Sequence, residues 1–157
     1  MAEDQVKKKN KKEQKAYIYA VGRRREAVAR VRLYSDIKTG VVLGDGIVKK
    51  GEIYVNGKPI NKIFTSKVDQ IMYQEPLKVT NALNRYAITI KVDGGGMAGQ
   101  LKAVIFALSR ALEKVNKEEF RPILKKRGFL TRDARVRQRR KVGTGGKARR
   151  KKQSPKR

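Results

Sequence analysis

The chain has 157 residues, with 41 Lys or Arg against 14 Asp or Glu, a formal charge of +27, and neither cysteine nor histidine. That length suits one domain with appendages. Without cysteine there is no disulfide, thiolate zinc site or Cys nucleophile, and without histidine the commonest general base and metal ligand is missing, so neither an enzyme nor a bound cofactor is expected.

The charge divides unevenly into a lysine-rich arm (1–15, +3), a moderately basic middle (16–120, +8) and a tail (121–157, +16). The tail holds 17 bases and a single acid, Asp133. Such a run cannot be buried in a core, and like charges repel into an extended chain in water. Along a phosphate backbone each neutralised phosphate releases a counterion, so nucleic acid is the expected partner. The arm has no apolar core of the secretory kind and reads as a solvated, disordered segment. No run approaches the roughly 20 apolar residues that span a bilayer, so no membrane partner is expected.

In chain order, Ala16 to Val21 is a short apolar run that reads as a strand ending at Gly22. From Glu26 to Tyr34 the sequence alternates. Ala27, Ala29, Val31 and Leu33 share one face, and Val28, Arg30, Arg32 and Tyr34 share the other, which is strand periodicity with one apolar and one basic face. Ser35 to Gly51 reads as a glycine-rich hairpin or loop excursion with a small strand at Val41 to Leu43 ahead of Gly44-Asp45-Gly46. Glu52 to Val55 is another strand, and Asn56-Gly57 signals a tight turn. Thr65 to Glu75 is predicted as a helix with Val68, Ile71 and Met72 on one side, ending at Pro76. Tyr86 to Val92 alternates as a strand and breaks at Asp93-Gly94-Gly95-Gly96. Ala98 to Lys117 is the strongest helix, with Leu101, Val104, Ile105, Leu108, Leu112 and Val115 in one stripe. Arg121-Pro122 is expected to end the ordered part. Strands followed by one long helix packed on a sheet give an α+β domain over 16–120, with an extended basic C-terminal tail over 121–157.

Gly94, Gly96 and Gly99 match the dinucleotide pattern G-x-G-x-x-G after a strand and before a helix. The match lacks the acid that should close a second strand about 20 residues on, and no P-loop lysine follows. A tight strand-to-helix turn explains the glycines, and a helix N-terminus in so basic a protein could also hold an RNA phosphate. Arg23, Arg24, Arg25, Arg30 and Arg32 form a cluster partly ordered by a sheet, suited to bidentate contacts with phosphate. In the tail, Arg127, Arg132, Arg135, Arg137, Arg139, Arg140, Lys141, Lys147, Arg149, Arg150, Lys151 and Lys152 are candidate RNA contacts. Threading along folded RNA suits their spread.

Several ordered blocks together resemble small-subunit ribosomal protein nine in its bacterial form: AVGRRREAVARVRLY, IYVNGKPINKIF, GGGMAGQLKAVIFALSRAL and RPILKKRGFLTRDARVRQRRKVGTGGKARR, with the ending SPKR. The resemblance runs from about Tyr17 to Arg157. It implies a small sheet with one long packed helix, in the fold shared by the C-terminal domain of the fifth small-subunit protein and a group of small-molecule kinases. It also implies a cytoplasmic, ribosome-bound protein whose partners are small-subunit rRNA in the head, neighbouring head proteins and the peptidyl-site tRNA. No homo-oligomer is expected. Lys156 and Arg157 would meet the anticodon stem-loop, with Arg149 to Lys152 in the rRNA channel behind. The ending departs from the family in lacking an aromatic residue before its terminal Ser-Lys-Arg and in carrying Pro155. Ser35 to Gly51 is longer than the usual connection. Kinship of fold with kinases implies no activity. The charge alone is equally compatible with a general nucleic-acid condensing protein.

Overall fold

The computed structural model describes residues 17–35, 40–43 and 46–139. Strands β1 (Ile18–Arg24) and β2 (Ala27–Tyr34) form a hairpin. A smaller hairpin follows, β3 (Val41–Leu43) with β4 (Gly46–Val48). Then come β5 (Ile53–Val55), β6 (Lys58–Pro59), α1 (Ile60–Ile63) and α2 (Lys67–Val79). Strand β7 (Ala87–Asp93) leads into α3 (Met97–Val115), and α4 (Lys117–Lys126) completes the helices. The main sheet has the order β1-β2-β7-β5-β6, with β5 parallel to β7 and the other pairs antiparallel. It is thus an α+β domain built on a small mixed sheet.

The alternation of β2 decides the layering. Ala27, Ala29, Val31 and Leu33 are fully buried, while Arg30 and Arg32 are exposed. Through the register, Leu33 aligns with Ile18 and Ile88, Val31 with Ala20 and Ile90, and Ala29 with Gly22 and Val92. These rows make one apolar face, and α3 packs along it over β1 and β2. The expected leucine and valine stripe of α3 is buried at Leu101, Val104, Leu108 and Leu112, with Ile105 and Val115 partly covered. A second stripe of Ala103, Ala107 and Ala111 is also fully buried. Small side chains there let the helix approach the sheet closely.

Gly22 does not end β1, which runs on to Arg24. It is the point of closest approach to α3. A Cβ there would lie 2.2 Å from the Ala103 carbonyl oxygen and 2.6 Å from the Ala107 nitrogen. β1 is an edge strand, and α3 also guards that edge. Arg110 donates to the Val21 carbonyl at 2.7 Å and Lys114 to the Tyr19 carbonyl at 2.7 Å. Long cationic side chains therefore occupy acceptors that another strand could otherwise pair with.

At Asn56-Gly57 both residues have positive φ, 49° and 79°, the conformation a two-residue hairpin turn requires. Asn56 also pairs with β7. Its side-chain oxygen accepts from the Val92 N–H at 2.9 Å and its amide donates to the Val92 carbonyl at 3.0 Å.

Two prolines sit inside helices, one where a helix was expected to stop and one where the ordered part was expected to end. α2 continues through Pro76 to Val79 because the Pro76 ring is buried in the core. Thr80 closes the end, its hydroxyl donating to the Pro76 carbonyl at 2.9 Å. The buried side of α2 is Tyr73, Pro76 and Leu77, whereas Val68 and Ile71 are 64 % and 61 % exposed. Order does not end at Arg121-Pro122 either, and the boundary drawn at Phe120 falls inside α4. Phe120 and Leu124 of α4 are buried. Asn116 caps its start, accepting from the Glu119 N–H at 3.3 Å while its own amide donates to the Glu119 carboxylate at 2.9 Å. The side-chain oxygen thus caps the first turn, while the Asn116 backbone N–H returns to the Leu112 carbonyl. Glu118 and Glu119 lie at the positive end of the helix dipole, Lys125 and Lys126 at the negative end.

Gly22→Ala is expected to destabilise the domain by about 1–3 kcal/mol, since overpacking against helix backbone cannot relax through a side chain. Urea unfolding of the two proteins should show a lower midpoint with an unchanged slope.

Candidate nucleic-acid interface

Helices cover one face of the main sheet, and the opposite face is only partly covered. At one end of it the β3–β4 hairpin packs Val41 and Val48 against Tyr34, Ala87 and Tyr54. The remainder is open. Cross-strand register places Tyr19, Arg32 and Thr89 in one row there, Val21, Arg30 and Lys91 in the next, and Arg23, Val28 and Asp93 in the third. Arg23, Arg30, Arg32, Lys91 and Tyr19 are all exposed.

The cations of this face are held in different ways. The Arg32 guanidinium lies 5.2 Å from the centre of the Tyr17 ring, which packs on Tyr34 with centroids 5.6 Å apart. This stacking orients the guanidinium without neutralising it. Arg30 donates to Asp93 at 3.0 Å, with both side chains about half exposed. Such a surface pair contributes about 0–1 kcal/mol and exchanges readily for a phosphate. Among the described residues Arg23, Arg25 and Lys91 form no ion pair. Arg25 sits at the hairpin tip with φ 52°.

Arg24 stands apart from its two neighbours. In β1 it lies opposite Ala27 on the helix side of the sheet, and it is only 8 % exposed. Its guanidinium bonds the Asp133 carboxylate at 2.9 Å and donates to the Arg135 carbonyl at 3.2 Å. Asp133 also takes a forked contact from Arg135, at 2.9 Å from Nε and 2.6 Å from Nη2, and accepts the Arg135 backbone N–H at 3.2 Å. The Arg135 hydrogen bonds, with the nearby Arg24 charge, hold the Asp133 carboxyl far below the usual carboxylate range. The same carboxylate pushes Arg135 upward. Arg24 is therefore turned away from the open face.

In the described part of the tail, Arg127 pairs with Glu75 at 3.5 Å, while Arg132, Arg137 and Arg139 are exposed. Arg140, Lys141, Lys147, Arg149, Arg150, Lys151, Lys152, Lys156 and Arg157 lie outside the described residues, as do the 1–15 arm and residues 36–39 and 44–45 of the 35–51 excursion. The sequence reading passed over Lys91, Tyr17 and Tyr19. The alternation of β7 and the aromatic residues flanking β1 were the available signals. It also gave Asp133 no role, and nothing local in the sequence reveals a partner more than a hundred residues away.

Two of the loop glycines, Gly94 and Gly95, are packed against by the protein itself, while Gly96 meets open space. Gly94 and Gly95 have φ of 72° and 64°. A Cβ on Gly94 would lie 2.5 Å from the Glu26 carbonyl oxygen, and one on Gly95 would lie 2.9 Å from the Ala27 Cβ. The glycines thus let the start of α3 seat on the β1–β2 turn, and they serve packing. Among the described residues no group of three or more acids could hold a metal ion, and no helix is long and apolar enough to cross a membrane.

A basic sheet face with a basic tail rooted beside it suits a polyanionic partner, and comparison with known proteins identifies the family. The family described as ribosomal protein S9/S16 matches residues 22–157. The chain belongs to that family. It is 46 % identical to small ribosomal subunit protein uS9 of Maridesulfovibrio salexigens over 132 residues, covering 84 % of this chain and 91 % of the relative. It is 46 % identical to uS9 of Lawsonia intracellularis over 125 residues, 80 % of this chain and 85 % of the relative. With uS9 of Leifsonia xyli subsp. xyli the identity is 41 % over 124 residues, 79 % and 66 % of the two chains. As a member of the S9 family the protein is a structural, non-enzymatic constituent of the small ribosomal subunit, and it works in translation in association with rRNA and ribosomal proteins.

The Asp133 contacts carry a definite pH dependence. A carboxylate whose folded pKa is depressed stabilises above its unfolded value, near 3.9, and loses that contribution as pH falls through the folded value. Arg24 and Arg135 face it directly, and Arg23 and Lys102 line the same small depression. The difference in thermal stability between the wild type and Asp133→Asn should therefore be flat from about pH 5 to 8 and shrink below about pH 4. Thermal unfolding of both proteins across that series checks it.

Proposed function

We propose that the open sheet face and the tail together bind rRNA in the head of the small subunit, and that the tail tip reaches the anticodon stem-loop of the peptidyl-site tRNA. The observation that carries this is the continuity of exposed cations. Arg30, Arg32 and Lys91 lie on the face, Arg23 and Arg25 at the hairpin end, and Arg24 ties that end to the tail root at Asp133. Face and tail then form one cationic surface.

In this reading the domain anchors. Arg23, Arg25, Arg30, Arg32 and Lys91 position the phosphate backbone, which fixes orientation without reading sequence. The tail bases from Arg127 onward, including Arg140, Lys141, Lys147, Arg149, Arg150, Lys151 and Lys152, neutralise rRNA along an extended path. Lys156 and Arg157 meet tRNA phosphates as an electrostatic clamp. The α+β arrangement is of the kind shared with the C-terminal domain of the fifth small-subunit protein and with small-molecule kinases, used here for binding alone. Neighbouring head proteins are the remaining partners, and no homo-oligomer is invoked.

Binding of the purified chain to a head rRNA fragment, with duplex DNA and unrelated RNA as competitors over a salt series, tests this. Head rRNA should win by orders of magnitude at physiological salt. Each neutralised phosphate should contribute a log–log slope of roughly −0.7 to −0.9. Truncation after Arg139, which keeps α4 and Asp133, should lower affinity and salt slope while keeping the preference. Equal binding to all nucleic acids would favour a general condensing protein. In ribosomes, deletion of Lys156 and Arg157 should weaken peptidyl-site tRNA retention and leave subunit assembly nearly intact. Normal retention would contradict the tip contact.

A further inference from the structure

We infer that Asp133 is a positioning residue, a clamp that fixes the root of the basic tail to the β1–β2 hairpin in the free protein. The chain beyond Arg135 then leaves the domain from one place before any RNA is bound.

The sequence of contacts is local first. At the end of α4, Gly128 takes φ 76°. Its N–H donates to the Lys125 carbonyl at 3.0 Å, and the Phe129 N–H to the Leu124 carbonyl at 3.0 Å. This is the Schellman arrangement, which reverses the chain at a helix end and sets the following apolar residue against the last turn. Phe129 and Leu130 accordingly pack on the core. The Thr131 N–H returns to the Gly128 carbonyl at 3.2 Å. Asp133 then reaches Arg24, and the Arg135 carbonyl, 111 positions from Arg24 in the sequence, takes the second contact. The tail is held at the Gly128 turn, at the apolar pair, and at the carboxylate.

Charge makes the assignment specific. Asp133 is the only acid among 17 bases in 121–157. For a segment whose partner is polyanionic, one negative charge weakens binding, so charge alone gives no reason for it. Here it points inward and meets an arginine that is 8 % exposed. Without the carboxylate, Arg24 would be a nearly buried charge with no counter-charge, a costly condition that drives rearrangement. Ordering the root in advance removes part of the entropy that binding would otherwise have to overcome, and raises the effective concentration of the distal tail at its site. That benefit rests on the RNA-binding role proposed above, whereas the clamp itself is a property of the free chain.

Two measurements on the full-length protein separate these. The first is amide hydrogen exchange without RNA. In Asp133→Asn the amides of residues 129–135 should exchange about tenfold or more faster than in the wild type through a local opening, while β2 and α3 stay the slowest to exchange and change by no more than the loss of global stability. Arg24→Gln should produce the same local pattern, and the pair together should add little to either alone. If Arg24→Gln fails to fold, Asp133→Asn still decides the matter. Unchanged exchange over 129–135 overturns the clamp, whatever the RNA result.

The second is affinity for the head rRNA fragment. Removing an acid should strengthen binding if charge alone matters, and Glu26→Gln, an exposed acid at the hairpin tip, supplies that control. The clamp predicts the opposite sign for Asp133→Asn, a loss of about threefold or more despite the gain of one positive charge. A gain equal to that of Glu26→Gln would overturn the positioning role. If the wild type shows no preference for head rRNA, the functional proposal fails, and the exchange experiment still decides the clamp.

Discussion

The register of β2 is the constraint on which the rest depends. This strand lies between β1 and β7 and alternates fully buried Ala27, Ala29, Val31 and Leu33 with exposed Arg30 and Arg32. A slip of one residue would drive two guanidiniums into the apolar layer beneath α3, so the pairing is strongly specified. The same alternation makes one face a core and the other a cationic surface. A chain of net charge +27 can fold because its domain separates these two demands by strand parity.

The few acids refine that division. Glu113 pairs with Arg121, Glu75 with Arg127, and Asp133 with Arg24 and Arg135. These contacts join α3 to α4, α2 to the end of α4, and the hairpin to the tail root. Among the described residues, Asp93 is the acid paired with a cation of the open face, in an exposed pair of the weak surface kind. Among the described residues the paired counter-charges thus lie mostly where segments must be joined, and the surface left cationic is the one proposed to meet RNA. Arg110 and Lys114 extend the scheme, each holding a carbonyl of the edge strand β1.

The parity of β2 and the long helix were legible from residue periodicity, as the burial of β2 and α3 shows, whereas the central strand β7 is buried on both faces from Ala87 to Ile90. The Ala103, Ala107 and Ala111 stripe was missed because alanine carries little apolar signal, although it is what brings α3 onto Gly22. Proline rules cut α2 short and hid α4, because local rules do not count the burial that compensates a lost helix bond. Asn116 with Glu119, and Gly128 beyond the last turn, were readable cap signals for α4. β6 and α1 are too short to leave a pattern. Treating Arg23, Arg24 and Arg25 as one cluster hid the parity that turns Arg24 inward. Its partner Asp133 belongs to tertiary structure, and no local pattern reports it.

Photochemical crosslinking of the full-length protein to head rRNA, with the attached peptides identified by mass spectrometry, tests the central claim most directly. The account predicts crosslinks on the open face, at Tyr19 and in the 28–34 and 89–93 segments, and along the tail beyond Arg135. It predicts none on the exposed side of α2, around Val68 and Ile71. Crosslinks concentrated on α2, with the open face silent, would contradict the assignment of that face to RNA.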